Sequence, residues 1–137
     1  MKLTNDNFFI DTNIALYLID LNEIDKRRAA IALMRKVPFI SPQVVFECIN
    51  VCLRKHKMDR ESVTLFVNWL TAASLIVPEN AAVVHSALSL MDRYRLQPFD
   101  AKIVASALEA QCDILYSEDM QNGLVIDNRL EIVNPFI

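Results

Sequence analysis

Four acidic residues carry most of the chemistry this sequence offers: Asp11, Glu47, Asp100 and Asp119. Asp11 ends the apolar run Phe8-Phe9-Ile10, and Asp119 lies two residues beyond a second run, Ile114-Leu115-Tyr116-Ser117. Glu47 and Asp100 fall in the opening turns of two apolar helical stretches. Gathered into one cleft, carboxylates ~5 Å apart repel by roughly 3 kcal/mol per pair at an effective dielectric of ~20. A hard divalent cation with oxygen ligands relieves that repulsion most directly. Oxygen-only ligands suit Mg²⁺ or Mn²⁺ rather than zinc. The acids therefore point to a metal-dependent enzyme.

Each acid also has a simpler role open to it. Asp11 can serve as a helix N-cap. Glu47 sits at a helix boundary position beside Gln43, Asn50 and Arg54, where a solvated glutamate is common. Asp100 stabilises a helix macrodipole from the first turn whatever else it does. Asp119, within Ser117-Glu118-Asp119, can be a turn residue. Their joint placement carries the functional reading.

The elements that must position them follow from periodicity and punctuation. Strands are expected at about 8–10, 37–41, 75–78, 114–117 and 131–133. Helices are expected from Asp11-Thr12-Asn13 to Leu21, over 24–36 with Ile24 facing inward, and from Pro42 to Lys57. Three more run from Asp59 to Ala73, from an Asn80 cap to Arg95, and from Gln97-Pro98 to Gln111. Short apolar strands alternating with helices mark a buried parallel sheet. The fold class is α/β, a three-layer α/β/α sandwich with a mostly parallel four- or five-stranded sheet, as one domain over 1–137. Open parallel sheets place sites beyond the carboxyl ends of their strands. That rule brings in Asp11, Glu47 and Asp119 directly, while Asp100 needs a favourable loop.

Bulk properties narrow the classes. At 137 residues the chain suffices for a single core. It is 53% apolar with a mean hydropathy of +0.25, yet no apolar run approaches the ~20 residues of a membrane span. The start, Met1 to Asn7, lacks a signal peptide's apolar stretch, so a cytoplasmic location is expected. The apolar surplus fits a dimer face or protein partner. A net charge of −3 argues against holding nucleic acid by bulk positive charge. Gly123 is the sole glycine, which excludes the glycine-rich phosphate cradles of P-loop and dinucleotide-binding enzymes.

Cys48, Cys52 and Cys112 read as reduced, packed thiols. A zinc site from Cys48, Cys52 and His56 is disfavoured because eight helical residues rise ~12 Å. His85 reads as a packed helix residue, and no cysteine has a histidine and oxyanion partner for nucleophilic catalysis.

Phe9-Ile10-Asp11-Thr12-Asn13, Glu47 with Asn50, Phe99-Asp100-Ala101-Lys102-Ile103-Val104-Ala105-Ser106-Ala107 and Leu115-Tyr116-Ser117-Glu118-Asp119 together resemble the PIN-domain nucleases. VapC-type toxins of bacterial toxin–antitoxin pairs look most similar. The resemblance implies that Asp11, Glu47, Asp100 and Asp119 bind Mg²⁺ or Mn²⁺, with Asn13, Asn50 and Ser117 in support. It implies an endoribonuclease acting on an RNA substrate, a cognate antitoxin lying on the apolar face of the first helices, and a homodimer. A housekeeping nuclease for RNA maturation or structured DNA, or an inactive PIN-like binding module, are the alternatives.

Glu118 departs from the family, where many relatives have a basic or neutral residue, and its charge bears on substrate grip. Asp127 is a further acid near the rim. Lys102 is expected to be structural. The run Arg54-Lys55-His56-Lys57 either complements its helix C-terminus or contacts phosphates.

Overall fold

The computed structural model describes residues 7–137; most of the Met1–Asn7 stretch read for a leader lies outside the described residues. Strand β1 (Phe8–Ile10) runs into α1 (Thr12–Leu16), a 3-10 turn (Tyr17–Ile19) and α2 (Ile24–Met34). Next come β2 (Phe39–Ile40), α3 (Pro42–Arg54), α4 (Arg60–Ala72) and β3 (Leu75–Ile76). The chain then forms α5 (Ala81–Tyr94), α6 (Pro98–Glu109), β4 (Ile114–Tyr116), β5 (Val125–Ile126) and β6 (Leu130–Val133).

The sheet order is β3-β2-β1-β4-β6-β5. Every pairing is parallel except β5 with β6. Phe8, Phe9 and Ile10 are all buried. Because successive strand residues face opposite sides, both faces of β1 are covered, giving the three layers expected. The chain winds from β1 outward to β2 and β3, then crosses back to start the other half at β4. The β1/β4 boundary is thus the topological switch point, where doubly wound sheets open a crevice at their carboxyl ends. Ile10 pairs with Tyr116 across that boundary, so Asp11 and Ser117 emerge side by side.

Local chemistry sets the helix starts. Asp11, Asp59, Asn80 and Gln97 accept backbone N–H bonds as N-caps of α1, α4, α5 and α6. Pro42 and Pro98 occupy first-turn positions of α3 and α6, where a missing N–H costs nothing.

Three expectations change. The sheet has six strands rather than four or five, because Val125-Ile126 forms β5 through a hairpin with β6. Its turn places Asp127 and Asn128 at φ 51° and 55°, the left-handed geometry that antiparallel hairpins favour. The first helix ends early, tightening into a 3-10 turn over Tyr17–Ile19. Ile24 is exposed rather than inward, and the buried face of α2 is Ala30, Leu33 and Met34.

Candidate active site

Asp11 is the first residue beyond β1 and only 7% exposed. Both of its carboxylate oxygens are engaged: Oδ1 accepts from the Thr12 N–H at 2.7 Å, and Oδ2 from the Ser117 hydroxyl at 2.8 Å. It caps α1 while its second oxygen is held by Ser117 at the rim. Ser117 reaches Asp11 because β1 and β4 are adjacent and in register; its Oγ also accepts from the Met120 N–H at 3.2 Å, fixing the turn that presents Asp119.

Glu47 lies on α3, one helix beyond β2, with an exposed side chain. Its Oε1 accepts from the Thr12 hydroxyl and from Gln43 Nε2, each at 3.0 Å. Gln43 Nε2 also donates to the Phe99 carbonyl at 3.2 Å, so one buried amide ties the Glu47 helix to the start of α6. Thr12 and Gln43 were missed as site residues. Their only sequence signals were adjacency to Asp11 and the i−4 position relative to Glu47.

Asp119 is exposed, and its Oδ2 accepts from Asn13 Nδ2 at 2.8 Å. Asn13 Oδ1 in turn accepts from the Glu118 N–H. Asp100, in the first turn of α6, shares an open cleft of about 400 Å³ with Asp119, Gln97 and Arg95. Asn50 is exposed on α3 and lines a separate cleft of about 580 Å³ with Glu47, Phe46 and Phe99.

The acids sense one another. Burial, opposed by the Ser117 and Thr12 hydrogen bonds and aided by the charges of Asp100 and Glu47, holds the Asp11 carboxyl at about 6. Burial also raises Asp100, with Gln97 opposing and the charges of Asp119 and Glu47 adding to the rise. Four negative groups thus stand on one rim at the switch point. Among the described residues no three of them, nor any other trio of acid, histidine or cysteine side chains, close into a ready ion cage.

Among the described residues none of these four acids forms an ion pair. Other acids around them do. Glu118 is paired with Lys26 at 2.5 Å and accepts from the Tyr17 hydroxyl at 2.5 Å. Its extra charge is therefore locally neutralised rather than turned on a substrate. Asp127 is held at the hairpin by Arg93 and Tyr94, which accounts for it without a site role. Glu79 accepts from the Gln43 N–H and pairs with Lys102 at 2.7 Å, so Lys102 braces α6 against the start of α3. An all-oxygen set of four acids without a counter-cation fits a hard divalent ion by its donor chemistry.

Neither histidine joins the rim: His56 is exposed at the end of α3 and His85 is exposed on α5, against the packed role expected of it. Cys48, Cys52 and Cys112 are buried free thiols, and burial pushes Cys112 up to about 12. They are not nucleophiles.

The sequence profile of the PIN domain matches residues 8–121, spanning every one of these acids. The chain belongs to the PIN-domain family. No curated protein sequence matches it significantly. Solved PIN-like structures share its fold at low identity. A toxin–antitoxin complex from Klebsiella pneumoniae matches at 21% identity and TM-score 0.66, over 95% of this chain and 98% of that one. VapC20 of Mycobacterium tuberculosis, described as a sarcin-ricin loop cleaving toxin, matches at 17% and 0.65, over 82% and 90%. VapBC2 from Rickettsia felis, bound to a promoter DNA fragment, matches at 17% and 0.66, over 93% and 98%. In this PIN domain the strand-end aspartate, the α3 glutamate, the α6 aspartate and the turn aspartate are the four rim acids described above.

Proposed function

We propose that this PIN domain is a metal-dependent endoribonuclease, the toxin of a toxin–antitoxin pair. One observation carries the reading: four carboxylates on one rim, without counter-cations among the described residues, in a chain of this family. Asp11, Glu47, Asp100 and Asp119 would hold one or two Mg²⁺ or Mn²⁺ ions. When bound, such ions lower the pKa of a coordinated water and offset negative charge on the phosphoryl group under attack.

The protein's own part is positional. Ser117 and Thr12 fix the Asp11 carboxylate, Thr12 and Gln43 fix Glu47, and Asn13 fixes Asp119. Ligands held by neutral donors keep their charge for the cation, which paired acids such as Glu118 do not. Asn50 has no bond to the rim acids among those described, and its supporting role rests on its place beside Glu47 in the cleft.

The toxin part of the reading draws on the fold neighbours, one of which is a toxin–antitoxin complex and another a toxin. Leu21 and Ile24, 75% and 59% exposed beside the 3-10 turn and α2, offer an apolar landing for an antitoxin segment. A homodimer and a cytoplasmic site of action belong to the same reading. No helix among the described residues is long and apolar enough to cross a membrane.

The test is a brief pulse of expression followed by sequencing of cleaved RNA ends, with Asp100→Asn as control. Growth arrest with new 5′ ends at defined sites, both absent from the variant, is the expected result. Arrest without new RNA ends, or arrest that persists in Asp100→Asn, overturns it.

A further inference from the structure

The Asn13–Asp119 hydrogen bond forms a ridge with a cleft on each side. On the Asp119 side, the 400 Å³ cleft that holds Asp100 is also lined by Arg95. On the Asn13 side, a smaller cleft of about 170 Å³ is lined by Lys55 and His56, with Asp20 as its one acid. Arg95 and Lys55 are exposed, and among the described residues neither forms an ion pair. The acidic rim is thus flanked on both sides by an uncommitted cation, in a chain whose net charge is −3.

Arg95 also has a defined backbone setting. It ends α5 at φ 58°, ψ 35°, the left-handed helix-end conformation that glycine adopts without steric penalty. A long cationic side chain stands at a backbone position better suited to glycine, on the wall of the cleft that contains two of the acids. Val37, Lys57 and Gln111 follow other helices in the same conformation, so the backbone by itself marks no site, and it is the cationic side chain on this cleft wall that matters.

We propose that Arg95 and Lys55 grip the phosphates on either side of the one that reacts, so that a single-stranded RNA backbone lies across the Asn13–Asp119 ridge. This rests on the hydrolase reading above and deepens it. The electrostatic need is specific. Four carboxylates repel a polyanion, and a bound divalent ion offsets that repulsion only at the reacting phosphate. The flanking phosphates need their own cations, and side-chain cations supply affinity without reading sequence. Of the two readings of the Arg54–Lys57 run, the Asn13-side cleft favours the phosphate contact for Lys55.

The experiment measures binding of a short mixed-sequence single-stranded RNA by fluorescence anisotropy across a salt series. All proteins carry Asp100→Asn so that cleavage does not intrude. The further substitutions are Arg95→Gly and Lys55→Gln, each with a thermal melt. Arg95→Gly is expected to raise Tm by about 2 °C through relief of the left-handed strain. The same change should weaken RNA binding roughly three- to tenfold and reduce the slope of log K against log salt by about 0.7. Lys55→Gln should lower the slope similarly with little change in Tm. A merely structural Arg95 predicts affinity and Tm moving together.

Unchanged affinity and slope in both variants overturn the track. So does loss of binding to a poly-glutamate peptide with RNA affinity intact, because an acidic protein segment is then the occupant. If the slopes fall as expected but the unsubstituted protein fails to cut RNA with Mg²⁺, the track stands and the hydrolase reading falls. If cleavage is intact and the slopes do not move, the track alone falls. If the reference protein binds no RNA, both fall.

Discussion

Asn13 and Asp119 are 106 positions apart in the chain, yet the Asn13 amide donates to the Asp119 carboxylate at 2.8 Å. The same amide's oxygen accepts from the Glu118 N–H. One side chain at the start of α1 therefore orients both the backbone and the carboxylate of the turn after β4. Replacing it with alanine leaves Asp119 in place in sequence but free to rotate. Asn13→Ala is expected to weaken Mn²⁺ binding severalfold and slow RNA cleavage about tenfold, with Tm within about 3 °C of the unsubstituted protein. Titration calorimetry with Mn²⁺ and a cleavage time course check it; unchanged Mn²⁺ affinity contradicts it.

Asp11 makes stability depend on pH in a defined direction. Its folded value of about 6 lies above the ordinary 3.8, so the native state binds the proton more tightly than the unfolded chain. Its contribution is complete below about pH 4 and is lost as pH rises through 6. The size is on the order of 3 kcal/mol. In metal-free buffer, urea unfolding should show stability falling over that window relative to Asp11→Asn, which lacks the titration. Saturating Mg²⁺ should remove the fall, because a bound cation stabilises the ionised form. A metal-free protein whose stability relative to Asp11→Asn is flat from pH 4 to 7 refutes the assignment.

Ser117 acts against that burial. Its hydroxyl donates to Asp11 Oδ2 and holds the carboxyl lower than desolvation alone would leave it. Ser117→Ala should shift the acid limb of the pH–activity profile to higher pH. It should also cost roughly 1–2 kcal/mol of stability, because the Met120 N–H loses its acceptor as well. A profile that stays put, measured under subsaturating Mg²⁺, counts against the role.

The placement of the rim acids was largely legible because apolar runs announce strand ends. Phe8-Phe9-Ile10 and Ile114-Leu115-Tyr116 are apolar enough to read as parallel strands, and the residues after them, Asp11 and Ser117, therefore meet at the rim. Pro42 and Pro98 marked the helices that bring Glu47 and Asp100. What escaped was tertiary. β5 is two residues long and has no period of its own; only pairing with β6 defines it. Lys26 meets Glu118 across 92 positions, a contact no local pattern encodes, and it turns an apparent liability at Glu118 into a clasp. Gln43 looked like one polar residue on a boundary face, whereas its amide forks to Glu47 and the Phe99 carbonyl.

The Lys26–Glu118 clasp bears on how firmly Asp119 is held. Lys26 pairs with Glu118 and lies over the rings of Tyr17 and Phe136, joining α2 and the 3-10 turn to the segment that carries Asp119. Glu118→Gln keeps the shape and loses the charge. It is expected to lower cleavage about two- to fivefold through looser placement of Asp119, and to leave the salt dependence of RNA binding unchanged because Glu118 faces Lys26. Stronger RNA binding with a steeper salt slope means instead that Glu118 had been repelling substrate.

On the proposed function, Asp11, Glu47, Asp100 and Asp119 act together through a divalent cation. Its most direct measurement is cleavage of a labelled single-stranded oligoribonucleotide by the purified protein during a Mn²⁺ titration from an EDTA-treated start, alongside Asp100→Asn. Cleavage that rises with Mn²⁺ from none, and falls at least about a hundredfold in the variant, is predicted. Cleavage that persists in EDTA, or survives in Asp100→Asn at the unsubstituted rate, contradicts catalysis through a metal held by these acids.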